Sequence, residues 1–149
     1  MRNQRTLVLC KPDAVQRGLT GQILSRFEAK GLKIVGMKLF QVSEDLAKKH
    51  YEEHAAKPFF DELVAFITSS PIVAVALEGE SAVEVVRGLM GVTNPQNAGP
   101  GTIRGDFGVH LTMNLVHGSD SAVSAERELA LFFEPEELVD YSLTIADWM

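Results

Sequence analysis

Apolar residues occur along the chain in short bursts of two kinds. Leu7-Val-Leu-Cys10 and Ile72 to Leu77 are apolar at every position, the pattern of strands buried on both faces. Pro12 ends the first run. Leu32 to Val42 alternates instead, which predicts a second strand with Val35, Met37 and Leu39 on one side. Other stretches carry helical spacing. Ile23, Leu24 and Phe27 follow Thr20, a helix cap, and Gly31 closes the pattern. Ser43 caps the next helix, with Glu44 and Asp45 in its first turn and Lys48 and Lys49 further along, the charge order that suits a helix dipole. Phe60, Leu63, Val64 and Ile67 form a short helix between Lys57-Pro58 and Ser70-Pro71. Ser81-x-x-Glu84 reads as a capping box for a helix ending near Leu89 or Met90. The apolar run in Asn114-Leu-Val-His117 predicts a last strand. Beyond Gly118, Ala122, Ala125, Leu129 and Phe132 or Phe133 share a helix face, with Ser119 and Asp120 as local caps. Glu134 to Leu138 opens one more turn, and Tyr141 to Met149 is an irregular tail.

From Gly91 to about His110 no period holds. Turn formers crowd Thr93 to Thr102, and Thr93, Asn94, Arg104 and Asp106 are interleaved among them. A loop this long in a compact domain tends to be functional. Reduced to its core, the order of elements is βαββαβ with insertions. That order predicts an α+β, ferredoxin-like fold: a four-stranded antiparallel sheet with helices packed on it. A doubly wound parallel sheet is the alternative that periodicity leaves open. No repeat or linker divides residues 1–149, which read as one domain.

Composition narrows the partners. The 149 residues are 46% hydrophobic and 23% charged, with a formal net charge of −6. An acidic surface disfavours a general nucleic-acid binder, although net charge says nothing of a single cleft. The lone cysteine, Cys10, has no partner for an internal disulfide, and no apolar segment is long enough for a signal peptide or a membrane span. A cytoplasmic location is the expectation.

His117 is the centre of the candidate chemistry. Imidazole is nucleophilic when neutral, and an ordinary imidazole pKa of about 6.5 leaves much of it so near pH 7. A helix N-terminus beside it attracts anions, so phosphoryl transfer is a natural reading. That reaction asks for positive charge and positioning, for which Lys11 at a strand exit, Arg87, Thr93 and Arg104 are candidates. They come from separate elements, and their spacing alone specifies no reaction. Walker and protein-kinase signatures are absent. Two other patterns compete. His50-Tyr-Glu-Glu53-His54 matches H-x-x-E-H, the inverted zinc-peptidase motif, whose bland reading is a solvated helix face. His117, Ser119 and Asp120 are too close in sequence to line up as a hydrolase triad.

Several segments taken together carry a resemblance. Arg5-Thr6, Lys11-Pro-Asp-Ala-Val-Gln-Arg-Gly18, Phe27-Glu-x-Lys-Gly31, Tyr51, Lys57-Pro-Phe-Phe60, Gly91-x-Thr-Asn-Pro95, Pro100-Gly-Thr-Ile-Arg-Gly-Asp-Phe107 and Asn114-x-x-His-Gly-Ser-Asp-Ser121 resemble the nucleoside diphosphate kinases. The matches span nearly the whole chain in one order. Lys57 stands where that family often has arginine.

The resemblance implies γ-phosphoryl transfer from a nucleoside triphosphate to a nucleoside diphosphate, with Mg2+ on the nucleotide and a ping-pong course through phosphorylated His117. It implies that Lys11, Tyr51, Arg87, Thr93, Arg104 and Asn114 surround phosphates and ribose, and that Phe59 stacks on the base with Leu63 and Leu111 beside it. Glu128 would bond the second imidazole nitrogen of His117, and Ser119 would support the site. A homo-oligomer is implied, a hexamer before a tetramer, with no membrane and no specific nucleic acid as partner. A nucleotide-binding scaffold that kept the fold without the reaction is the other class. Two departures matter. Strict alternation would put Asn114 and His117 on opposite faces of a strand, so both serve one site only if the chain bends between them. The chain also ends Asp147-Trp148-Met149, without the Tyr-Glu ending that many long-tailed members carry, which puts a cross-subunit contact from that ending in doubt.

Overall fold

The computed structural model describes residues 3–149. Four strands, β1 (Asn3–Cys10), β2 (Lys33–Phe40), β3 (Ile72–Glu80) and β4 (Val116–Gly118), pair antiparallel in the order β2-β3-β1-β4. The parallel alternative is thereby excluded, and the two fully apolar runs are the two central strands, as their lack of alternation requires. Helices α1 (Pro12–Gln16), α2 (Thr20–Ala29), α3 (Glu44–His50), α4 (Phe60–Ile67), α5 (Ala82–Met90), α6 (Ile103–Phe107) and α7 (Ala122–Phe132) cover the sheet.

Alternation along β1 sorts the core into two layers. Val8 and Cys10 point to the face shared with Ile23 and Phe27 of α2 and Val86 and Met90 of α5. Leu7 and Leu9 point to the other, where Ala47 of α3, Val64 and Ile67 of α4 and Leu129 and Phe132 of α7 close over them. The βαββαβ frame therefore supplies one helical layer, and the insertion between β2 and β3 together with α7 supplies the second. No helix among the described residues is long and apolar enough to cross a membrane.

Local expectations failed at several places, each for a physical reason. The register of β2 slips between Ile34 and Gly36. This bulge turns Val35 inward, whereas Met37 and Leu39 stay 55% and 65% exposed, so the three do not share a face. Thr20 does not cap α2; Leu19 holds the cap position and the Thr20 hydroxyl is buried without a partner. Ser81 precedes α5 with φ of 52° and makes no side-chain cap bond, because β3 turns into α5 without the extended residue a cap requires. Residues 13–18 are not merely a turn, since α1 occupies most of them. The loop from Gly91 is likewise not structureless. Thr102 Oγ1 accepts from Gly105 N at 3.0 Å and caps α6, while a Cβ on Gly105 would lie 2.0 Å from the Gly99 carbonyl oxygen. Only glycine lets the loop fold back so tightly. Before α7 the cap is Ser121, whose Oγ accepts from Ser124 N; Ser119 is buried instead, and Ala122 is exposed rather than part of the inner face.

The bend before β4 sets the site. Leu115 is fully buried with φ of 73°, a left-handed conformation that costs a branched residue about 1–2 kcal/mol. Asp13 Oδ2 accepts from Leu115 N at 3.0 Å, and Lys11 N donates to Leu115 O at 2.8 Å. The chain thus bends between Asn114 and His117, as a shared site demands. Asp13→Ala leaves the Leu115 N–H without its acceptor and should cost about 1–3 kcal/mol of stability. Urea unfolding measures this, and a change within about 0.5 kcal/mol, the size of an ordinary surface substitution, would show that the bend holds without Asp13.

Candidate active site

Register places the central histidine. His117 lies opposite Leu9, so its side chain falls on the face covered by α3 and α7. From α7, Glu128 presents Oε1 to His117 Nε2 at 2.8 Å. Ser119 Oγ donates to the same oxygen at 2.7 Å, and Leu7 N donates to Ser119 Oγ at 3.4 Å. Burial raises the Glu128 pKa, but the bonds from His117 and Ser119 outweigh it and hold the carboxyl below its ordinary value. A carboxylate at Nε2 accepts an N–H there, which leaves the lone pair on Nδ1.

The second side of the site is built from cations on backbone supports. Lys11 follows the last residue of β1, and its Nζ donates to Asn114 Oδ1 at 2.9 Å. Burial, aided by the charge of Arg104, pushes the Lys11 ammonium down to about 8. Asn114 Nδ2 in turn donates to Thr93 O at 3.1 Å. Arg104 is 5% exposed and spends three of its five donors on carbonyls: Nε on Asn114 O, Nη1 on Gly91 O and Nη2 on Val116 O, at 3.2, 3.1 and 2.7 Å. Burial and neighbouring Arg87 lower its pKa to about 10. Arg87 is exposed and reaches Gly118 O at 3.3 Å.

Tyr51 follows α3 directly. Its ring lies 4.6 Å from that of His50, and the His50 ring stands edge-on to His117 at 4.7 Å. Burial raises the Tyr51 phenol to about 12, so it stays a donor. Thus Glu128, Ser119 and, through His50, Tyr51 adjoin the His117 ring. Hydrogen bonds join Lys11, Asn114, the Thr93 backbone and Arg104 to one another and to the chain leading into β4, and Arg87 reaches the residue after His117. The three residues expected at a base are less tightly joined to this group. Phe59, 43% exposed, connects through His54 and Tyr51, with ring centroids 5.7 and 6.4 Å apart. Leu63 packs against the layer beneath, and Leu111 is exposed in the loop before β4.

His50 and Asp13 had no role in the site on sequence grounds. The one hint for His50 was its position three residues after buried Ala47, on the inner face of α3. The zinc-peptidase reading fails here. α3 ends at His50, and Glu53 and His54 lie in a separate 3-10 turn, Glu52–His54, so the motif does not sit on one helix. Among the described residues, the one group of His, Cys, Asp or Glu side chains close enough to hold an ion is His50, His117 and Glu128, within 4.8 Å of one another.

Known proteins match this architecture over nearly its whole length. The family model for nucleoside diphosphate kinase matches residues 4–138. The nucleoside diphosphate kinase of Gloeobacter violaceus is 59% identical over 146 residues, covering 98% of each chain. That of Pyrococcus horikoshii is 59% identical over 148 residues, covering 97% of this chain and 94% of the other. The solved structure of a halophilic nucleoside diphosphate kinase from Halobacterium salinarum, in complex with CDP, superposes with a TM-score of 0.97 at 54% identity, over 99% of this chain and 98% of that one. On this agreement of sequence and fold, the chain belongs to the nucleoside diphosphate kinase family.

Proposed function

We propose that His117 Nδ1 carries the phosphoryl group while the enzyme moves it from a nucleoside triphosphate to a nucleoside diphosphate. The activity itself is that of the family, nucleoside diphosphate kinase by a ping-pong course. The observation that carries the residue assignment is the 2.8 Å contact of His117 Nε2 with Glu128. In the first half-reaction the Nδ1 lone pair attacks the γ-phosphorus, the bond to the β–γ bridging oxygen breaks, and the diphosphate leaves with that electron pair. Glu128 steadies the positive charge that the ring gains, as a carboxylate does for a triad imidazole. In the second half-reaction an oxygen of the incoming diphosphate takes the phosphoryl group and the ring returns to its starting tautomer.

Lys11, Arg87 and Arg104 offer charge to the moving phosphoryl oxygens. Tyr51, Thr93 and Asn114 offer hydrogen bonds to phosphates and ribose. Phe59, with Leu63 and Leu111, offers an apolar seat for the base. Enzymes of this family need a divalent metal. Two imidazoles and one committed carboxylate do not suit a hard, octahedral cation, so the metal is read as Mg2+ arriving on the nucleotide phosphates. The exposed Met37, Leu39, Ile145 and Trp148 support a homo-oligomer, a hexamer before a tetramer, since large apolar side chains left in water gain from a cover. The location is read as cytoplasmic.

Incubation with Mg-ATP alone should release up to about one ADP per chain and leave protein-bound phosphate. The label should be acid-labile, map to His117, and pass to added GDP. His117→Ala should lose both half-reactions and keep nucleotide binding. Acid-stable label, or transfer by the alanine variant, would remove His117 from its role.

Lys11 predicts a pH limb. A lysine with a pKa near 8 is charged below that pH and neutral above it. Nucleotide affinity of the free enzyme should therefore fall as pH rises through about 8, the bound phosphates moving the midpoint upward. Calorimetric titration of ADP between pH 7 and pH 9.5 should show this fall, and Lys11→Arg, which stays charged, should flatten it.

Base selectivity should be weak, because stacking accepts every base through its π-face. Phe59→Ala should cost about 1–3 kcal/mol of binding for GDP, CDP, UDP and dTDP alike. Losses that differ by orders of magnitude among the four would reveal a group that reads base edges.

A further inference from the structure

His50 is 4% exposed, and neither of its ring nitrogens has a hydrogen-bond partner. A buried polar group left unpaired is destabilising, and an aromatic residue of the same shape would fill the space between Tyr51, His117 and Phe132 without that cost. Burial, with His117 beside it, pushes the His50 imidazole down to about 3, so its lone pair is free at neutral pH. That lone pair, a nitrogen of His117 and an oxygen of Glu128 lie within 4.8 Å of one another.

We propose that His50, His117 and Glu128 form an inhibitory site for a borderline transition metal of the Zn2+ class. Two imidazole nitrogens and one carboxylate oxygen are a donor set that suits Zn2+, Co2+ or Cu2+ and not Mg2+. Tetrahedral bonds of about 2.0–2.2 Å place neighbouring donors about 3.3 Å apart, so the set must contract modestly. Rotation of the Glu128 and His50 side chains supplies the movement. Glu128 accepts the Nε2 proton of His117, so a metal on that side takes Nε2 and the displaced proton moves to Nδ1, where it occupies the lone pair that would attack phosphorus. No net proton is released and no electron is exchanged. The charges of Lys11 and Arg127 near His50 act against a dication, which makes the binding reversible. Phosphorylated His117 has no free nitrogen to give, so phosphorylation and metal exclude each other.

Only the inhibitory effect rests on the kinase reading; binding is read separately. Co2+ added to the nucleotide-free chain should bind at about one ion per chain. Its visible absorption should be that of a low-coordinate, nitrogen-ligated ion, and Zn2+ should displace it. The spectrum should be absent from His50→Phe and His50→Gln, and from chain first phosphorylated with Mg-ATP. His50→Phe gives up no hydrogen bond and keeps the aromatic contacts, so it should fold. Buffered Zn2+ should also block phosphoenzyme formation from Mg-ATP. Losing even an outer-sphere partner costs about tenfold to a hundredfold in metal affinity, so half-inhibition in His50→Phe should need at least about tenfold more Zn2+. An unchanged Co2+ spectrum in both variants, or Zn2+ inhibition equal in variant and parent, would overturn the site. A chain that binds Co2+ through His50 but forms no phosphoenzyme even without Zn2+ would instead overturn the kinase assignment and leave the metal site standing.

Discussion

A single carboxylate holds the two halves of the catalytic layer together. Glu128 comes from α7, near the C-terminus of the fold, and its Oε1 receives both His117 from β4 and Ser119 just beyond it. Burial alone would raise the pKa of such a group; two short donors outweigh it and hold the carboxyl below its ordinary value. The arrangement has a cost, because an ion withdrawn from water is favourable only while both donors stay in place. Removing either donor would leave a charge among Leu9, Leu129 and Phe132 of the same layer. The geometry of the histidine and the stability of this layer are therefore one problem with one solution.

The cations face the opposite difficulty. A chain with a net charge of −6 sets Lys11, Arg87 and Arg104 near one another; beyond the effect of burial, Arg104 lowers the proton affinity of Lys11 and Arg87 lowers that of Arg104. Backbone carbonyls and the Asn114 amide oxygen partly offset the repulsion. An anionic ligand completes the balance. The proposed phosphates would meet cations whose repulsion the protein alone offsets only in part.

How far this could be read from the chain depended on which forces were local. The central strands and the faces of α2 and α4 were legible because burial on one or two sides writes directly into residue order. The bulge at Val35 was not, since one extra residue reverses the alternation that identifies a strand. Ser81 and Thr20 carried cap chemistry that the path of the chain overrode. Among site residues, Lys11 at a strand exit and His117 before a helix followed from local pattern. Arg104 stood out among the turn formers of its loop. Asn114 and Glu128 did not follow, because their partners lie on other elements; the family resemblance named them, and only the bend at Leu115 shows how Asn114 and His117 can share one site.

The bonds that build the site also order events in folding. Lys11 meets Asn114 across 103 residues, Asp13 meets Leu115 across 102, and Leu7 meets Ser119 across 112. Contacts of such separation close late, because loop entropy must be spent before they give any return. During synthesis β1 is made first, yet it gains its neighbour β4 only when the chain is nearly complete. A truncated or stalled product can pair β1, β2 and β3 and bury much of a core. It carries Lys11 and Tyr51 but neither His117 nor Glu128, so a half-made chain lacks the imidazole–carboxylate pair on which the proposed phosphoryl relay rests.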